Sequence, residues 1–404
     1  MRYLVILFLV HYSRIIERII MSKQIKFNDS LTLTFLMFLA EIIGGFSVFI
    51  YQNMFLSKSN KKNVVLEKMI ISKRTNQELT QKHKASSFKI ILLIFFAAFF
   101  DFTEFIIGIL IPKIAVLSPT CDTRICIFIT ICSSLLCIFA LRIKTGKHHT
   151  ISLIGMAICC TIVFIIELIY KSKGVNFWDF IQVYLLVSCR LIFVSLIDVT
   201  EKYLVEFCSV NMFKVLGSEG SFGFLLTLIY SFIKDEKPFS ALYETYIELE
   251  QKNKTIFIIL LILHFLLCAG VNIYKIMCNV IYNPMVKSLS GYLLNPIYIT
   301  YYFIYGNDFL SDGEKNYGFF FINLVLSIIV DFFSFMYNEF FILNCCGMNK
   351  DTHHEITKRA ISKELEEFNN LDDSFENRSS NKSDKEDKED KEDKEENQEY
   401  YYYA

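Results

Sequence analysis

A chain of 404 residues that is 53% hydrophobic and 21% charged, with 40 Phe and 22 Tyr against one Trp, carries more apolar surface than a soluble domain of its length can hide. Its formal net charge of −1 averages an apolar body with a mixed-charge tail, and no basic domain marks a nucleic-acid partner. These features exclude a soluble globular domain and a nucleic-acid-binding module, and they make the lipid bilayer the solvent to reason in.

In chain order, the first candidate element is residues 3–20, whose second half carries Arg14, Glu17 and Arg18. A short first span is expected there, with an amphipathic helix lying in the membrane interface as its rival. A helix crosses the hydrocarbon core in about 20 apolar residues. Nine further runs qualify: 29–51, 88–112, 124–142, 149–170, 180–199, 213–233, 255–276, 286–305 and 317–342. The expected architecture is all-α, a polytopic transmembrane bundle of about ten helices in two inverted five-helix repeats. Its parts are N-terminal helices over 1–51, a cytoplasmic basic loop over 52–87, the remainder of the first repeat over 88–171, the second repeat over 180–342, and a charged cytoplasmic tail over 343–404. Lys58, Lys61, Lys62, Lys68, Lys73 and Arg74 in that loop place it, and with it both termini, on the cytoplasmic side. Within the tail, Ser383 to Glu396 repeats Asp, Lys and Glu with nothing to bury, so a disordered end is expected, its binding partner unknown.

Ionisable side chains inside hydrocarbon are costly unless they face protein or a water-filled path. The runs contain Glu41, Asp101, Glu104, Glu167, Arg190, Asp198, Glu219 and Asp331, too many for helices whose sole task is anchoring. Asp101 and Glu104, three apart, share a helix face, and two carboxyls in one low-dielectric cavity suit proton coupling, although a hydrogen bond to a neighbouring helix would also account for them. Arg190 either pairs with a carboxylate on another helix or meets an anionic part of a cargo. Asp198 is expected to be wet, near the cytoplasmic boundary. Gly217, Gly220 and Gly223 recur every three residues and leave a bare stripe for close helix approach, with Glu219 on its flank. Glu41 is followed by Gly44, Gly45 and Phe46, and Glu219 by Gly220, Gly223 and Phe224, cognate positions if the chain is two halves of five spans. Pro296, inside the ninth run, is a candidate kink or gating point. His264 reads as a packing histidine, and the twelve Cys as small apolar residues without zinc-site spacing. No metal and no cofactor is expected.

Several stretches carry a family likeness. They are "FFDFTEF" (Phe99 to Phe105), "TRICIFITICSSLLCIFAL" (Thr123 to Leu141), "HHTISLIGM" (His148 to Met156) and above all "VTEKYLVEFCSVNMFKVLGSEGSFGF" (Val199 to Phe224). Over roughly Leu92 to Ile304 the chain resembles the drug/metabolite transporter superfamily, specifically the solute carrier family 35 group and its F-type relatives. The resemblance implies ten helices in two inverted repeats that move a small polar metabolite by alternating access, often in endomembranes rather than the plasma membrane. It carries over Asp101, Arg124, Glu201, Lys202 and Glu219 as motif positions, with Glu201 and Lys202 in a cytoplasmic segment over 200–212.

The expected function is a secondary transporter for a small polar solute, nucleotide-sugar-like or an organic anion, and not an enzyme. A homodimer is compatible with the sequence. No Gly-rich phosphate loop of the G-x-x-x-x-G-K-[ST] type supplies primary pumping. The alternative is an integral-membrane transferase or a non-transporting membrane scaffold; against the transferase, His148, His149, Asp122 and Arg124 fall at opposite ends of a span.

Overall fold

The computed structural model describes residues 2–27, 29–55, 86–114, 127–142, 145–171, 177–234, 239–282, 284–292, 295–305, 310–311, 314–343, 352 and 355. Two compact units divide the chain, residues 1–343 and 344–404, and the helices belong to the first. They are α1 (Arg2–Ile20), continued by one π-helical turn (Met21–Ile25), α2 (Ser30–Phe55), α3 (Ser87–Ile114), α4 (Ile127–Ala140), α5 (Lys147–Lys171), α6 (Phe177–Glu206), α7 (Met212–Lys234), the short α8 (Ser240–Glu248), α9 (Gln251–Ile281), α10 (Pro284–Tyr292), α11 (Asn295–Tyr305) and α12 (Tyr317–Tyr337). Arg124, the greater part of the 52–87 loop and nearly all of the charged tail lie outside the described residues.

Long apolar runs become helices here because hydrocarbon offers no partner for a bare N–H or C=O, so each segment must bond its own backbone. Among the described residues, seven helices are long and apolar enough to cross a membrane. The outer surface points the same way. On α5 the side chains of Ile151, Ile154, Ile158, Ile162, Ile165 and Ile169 form one exposed stripe at helical spacing, with Ile154 and Ile158 each 55% exposed. On α12, Phe321, Ile322, Val325, Ile328 and Ile329 do likewise. In water such stripes would drive aggregation; in a bilayer they are the lipid face. The chain is a multi-pass helical membrane protein.

Inside, α2 packs on α7, α3 on α6, α1 on α9, and α5 on α12. Further seams join α4 to α6, α1 to α10, α2 to α9, α3 to α7, α4 to α5, α11 to α12 and α4 to α10. The α2–α7 crossing is close, and glycine makes it so. A Cβ added to Gly45 would stand 2.5 Å from the Gly217 nitrogen, and one on Gly220 would stand 2.7 Å from Glu41 Cβ. Going along α2 from Phe38 through Glu41 to Gly45, the partners on α7 run backwards from Gly223 through Gly220 to Gly217, so the two helices are antiparallel. The glycine stripe is thus a seam against Phe38, Glu41 and Phe46.

Four expectations need correction. The run 286–305 holds two described helices, α10 and α11, rather than one continuous helix, and residues 293–294 lie outside the described residues. Pro296 is the second described residue of α11, a first-turn position where its missing N–H costs no helical hydrogen bond within α11. The 200–212 segment, expected as a cytoplasmic loop, is helical through Glu206. A tight turn follows, with Ser209 at φ 56°, and the Asn211 side chain accepts from the Phe213 N–H at 2.9 Å to cap α7. Asp198, expected to be wet, is 0% exposed. A two-residue antiparallel ribbon pairs Leu310–Ser311 with Glu314–Lys315, a small departure from all-α. The first run, α1, joins the bundle: Leu4, Leu7 and Glu17 are buried and the helix packs along α9.

Candidate functional site

Five helices bring ionisable groups to one point. Glu41 on α2, Asp101 on α3, Glu201 on α6, Glu219 on α7 and Lys275 on α9 line a common cavity, completed by Asn272 and by the apolar Ile197 and Leu216. Its volume is about 10 Å³, enough for about one water molecule. Glu41, Glu201 and Glu219 are buried to 6%, 4% and 3% exposure, whereas Asp101 and Lys275 are half-buried. Asn272 donates to Glu41 Oε1 at 2.8 Å, and Asn279 donates to Glu201 Oε2 at 2.7 Å. The second oxygens of Glu41 and Glu219 have no hydrogen-bond partner among the described residues. Four carboxyls against one ammonium leave an excess of acid that must be balanced by protons or by a bound cation, because unpaired charge in a low-dielectric interior is prohibitively expensive.

Helix α9 supplies the polar edge of this interior. His264, Cys268, Asn272, Lys275 and Asn279 fall three or four residues apart, on one face of a helix that is largely apolar from Ile256 onward. The stripe reaches from a buried pair, His264 Nδ1 to Glu17 Oε2 at 2.9 Å, past Cys268 Sγ at 3.4 Å from His264 Nε2, to the cavity and then to Asn279. His264 is thus a buried histidine whose two ring nitrogens are satisfied by Glu17 and Cys268.

Polar contacts flank the cavity along the helix axes in both directions. Towards the N-terminal ends of α6 and α9, Arg190 Nε donates to Glu104 Oε1 at 2.5 Å, and the Glu17–His264 pair bridges α1 to α9. Arg190 precedes Glu201, and His264 precedes Lys275, by eleven residues, which is about 16 Å along a helix. At the level of Glu201, Asp198 is ion-paired with Lys287 of α10, and Asn279 also donates to the Asp198 carbonyl at 2.8 Å. Beyond it, Lys202 Nζ meets Glu206 at 3.0 Å and donates to the Tyr282 carbonyl at 3.3 Å, holding the C-terminal ends of α6 and α9 together.

The sequence-derived candidates thus divide. Glu41, Asp101 and Glu219 meet in the cavity. Glu104 and Arg190 meet each other instead, on the α3–α6 seam. Glu201 joins the cavity although it was expected in a cytoplasmic segment, and its neighbour Lys202 ties helix ends. Gly217, Gly220 and Gly223 serve the α2–α7 seam. Asp331 is on α12, away from the cavity, and the Glu167 side chain lies outside the described residues. His148 and His149, at the start of α5, reach the end of α12: His148 Nε2 is 2.6 Å from the Met336 carbonyl and His149 Nε2 is 3.5 Å from Glu339. Lys275, Asn272, Asn279 and Lys287 were missed. Lys275 was hidden because it sits one residue inside the end assigned to its run, where a lysine ordinarily reaches for the interface; α9 in fact continues to Ile281.

The Arg190–Glu104 pair gives a direct stability test. Arg190→Leu leaves Glu104 without this partner and should lower the stability of the detergent-solubilised protein by roughly 1–3 kcal/mol, below the cost of breaking a fully buried pair. Adding Glu104→Gln should restore at least half of the lost melting temperature. No recovery in the double variant would show that the pair is not what holds this seam.

No protein-family model matches the chain, and no curated protein matches it.

Proposed function

We propose that the chain is a secondary carrier that moves a small polar solute across a membrane by alternating access, with the four-carboxyl cavity as its central site. The observation that carries this reading is the convergence of Glu41, Asp101, Glu201, Glu219 and Lys275, from five separate helices, on one small cavity inside an apolar bundle. Anchoring helices or a scaffold have no use for such a cost. Carboxyls that must be balanced by protons or by a cation also offer a way to couple solute movement to a proton gradient.

The most extensive helix seams support an arrangement as two inverted repeats of five spans, while smaller ones such as α6–α9 and α9–α10 have no comparable counterpart among the described residues. Take α1 to α5 as one set, and α6, α7, α9, the α10–α11 pair and α12 as the other. Exchanging the sets turns the α1–α9 seam into α6–α3, α1–α10 into α6–α4, α2–α9 into α7–α3, and α4–α5 into α11–α12. The α2–α7, α4–α10 and α5–α12 seams map onto themselves. The cognate α2 and α7 are antiparallel, as inversion requires, and each contributes a glutamate to the cavity. This is the architecture that the solute carrier 35 likeness implies, and we extend that likeness to an endomembrane location with both termini in the cytoplasm.

Counterflow is the test. Purified protein in liposomes, preloaded with an unlabelled solute that stabilises it, should accumulate the labelled form transiently above equilibrium and do so saturably. Flux that never saturates and shows no overshoot would mean a channel, and absence of flux for every stabilising solute would end the carrier reading.

A further inference from the structure

We propose that the solute taken by the central cavity is a small organic cation, an ammonium or guanidinium compound, bound in exchange for protons; this rests on the carrier reading above and names its cargo class. Three observations lead there. Four carboxyls face one lysine, so a cation can take the place of the protons that balance the acids, whereas an anion or a phosphate ester would require every one of them to stay protonated. Glu41 Oε2 and Glu219 Oε2, both more than nine-tenths buried at the cavity, have no hydrogen-bond partner among the described residues, leaving acceptors for N–H donors brought by a ligand. Finally, among the described residues no three His, Cys, Asp or Glu groups close on a point that could hold a metal ion. The acids are spread around the cavity rather than focused, which suits a cation whose charge and donors are distributed over several atoms.

Lys275 supplies the cavity's own positive charge. Its ammonium shares the cavity with the four carboxyls, yet it makes no ion pair at contact distance among the described residues. It acts as a tethered cation, diffusely balancing the acids until cargo arrives. With room for about one water, the closed cavity must widen for entry, and Lys275 must yield its place. Charge balance then fixes the exchange. Each cation that binds releases protons carried by the acids, and each cation that leaves is replaced by protons. The charged groups that set this balance are Glu41 from α2, Asp101 from α3, Glu201 from α6, Glu219 from α7 and Lys275 from α9, with the Asp198–Lys287 and Glu104–Arg190 pairs at their flanks.

Methylguanidinium is a suitable probe because it stays charged across the usable pH range and carries several N–H donors. In detergent it should raise the melting temperature of the wild-type protein saturably, by roughly 2–4 °C. Sorbitol and uridine monophosphate at the same concentrations should not. The shift should shrink as pH is lowered, because protons compete for the same oxygens, and it should disappear in Glu219→Gln and in Asp101→Asn. In liposomes an inward methylguanidinium gradient should make the lumen alkaline as protons leave. Stabilisation by uridine monophosphate instead, or no stabilisation by methylguanidinium at any pH, overturns the cation assignment whether or not the protein carries solutes. A methylguanidinium shift that is lost in both variants but brings no flux upholds the cation site and overturns the carrier reading.

Discussion

Glu219→Gln is expected to lower carrier-mediated flux by about 10- to 100-fold, corresponding to the roughly 1.5–3 kcal/mol carried by a hydrogen bond to a charged group. The fold should survive. Glu219 is 3% exposed on α7, and its Oε2 has no hydrogen-bond partner among the described residues, so the native carboxyl is a burden on the folded state rather than a prop. A glutamine of nearly the same shape removes that burden, and the melting temperature should stay level or rise. Loss of function joined to unchanged or greater stability is the pattern of a residue kept for use, because stability is commonly sacrificed where a site must hold uncomfortable groups. Flux and thermal unfolding measured on one preparation decide it: a fall in both together would recast Glu219 as structural.

The second large effect is steric. Gly45→Ala and Gly220→Ala should each destabilise the protein by about 2 kcal/mol or more, the cost of forcing atoms into a filled interior. The new methyl at position 45 would meet backbone, the Gly217 nitrogen at 2.5 Å and the Phe213 carbonyl oxygen at 2.9 Å, and backbone cannot swing away as a side-chain tip can. At position 220 it would press on Glu41 Cβ and on the Ile42 nitrogen, shifting a cavity carboxyl as well, so transport should fall with stability. Gly108 is the control. Nothing lies within 4 Å of its would-be methyl, and Gly108→Ala should be neutral or slightly stabilising through helix propensity. Equal melting temperatures for Gly45→Ala, Gly220→Ala and Gly108→Ala would mean that α2 and α7 do not cross as closely as described.

What could be read in the sequence followed the physics of burial. Apolar runs of span length have one solution in hydrocarbon, so most of the long helices were legible, whereas α6 runs on to Glu206, the run 286–305 holds two helices and the short α8 was not foreseen. The acids at Glu41, Asp101 and Glu219 stood out because each lies deep in its run, where no interface is within reach. Residues near run ends were misread for the complementary reason. Glu201 and Lys202 were expected in a cytoplasmic segment, and Lys275 and Lys287 drew no reading, since hydropathy marks where apolar residues stop and not where the helix stops; α6 and α9 continue, and their polar ends turn inward. Pairing is the other thing a one-dimensional pattern does not contain. Asp101 and Glu104 share a helix face, yet one reaches the cavity and the other Arg190, a choice made by α6 and α7 and not by spacing on α3. Glycine spacing announced a close seam, whereas its partner could be named only once Gly45 and Gly217 were in contact.

The central claim is that the buried cavity opens alternately to the two sides of the membrane. Leu216 lines it at 3% exposure and carries no charge, so Leu216→Cys reports access without disturbing the acids. In sealed vesicles of known orientation, an impermeant cationic thiol reagent should modify this cysteine from either side, above the level seen with the parent chain, and more slowly when methylguanidinium is present. Labelling from neither side, or from one side alone under every gradient imposed, would contradict alternating access at this cavity.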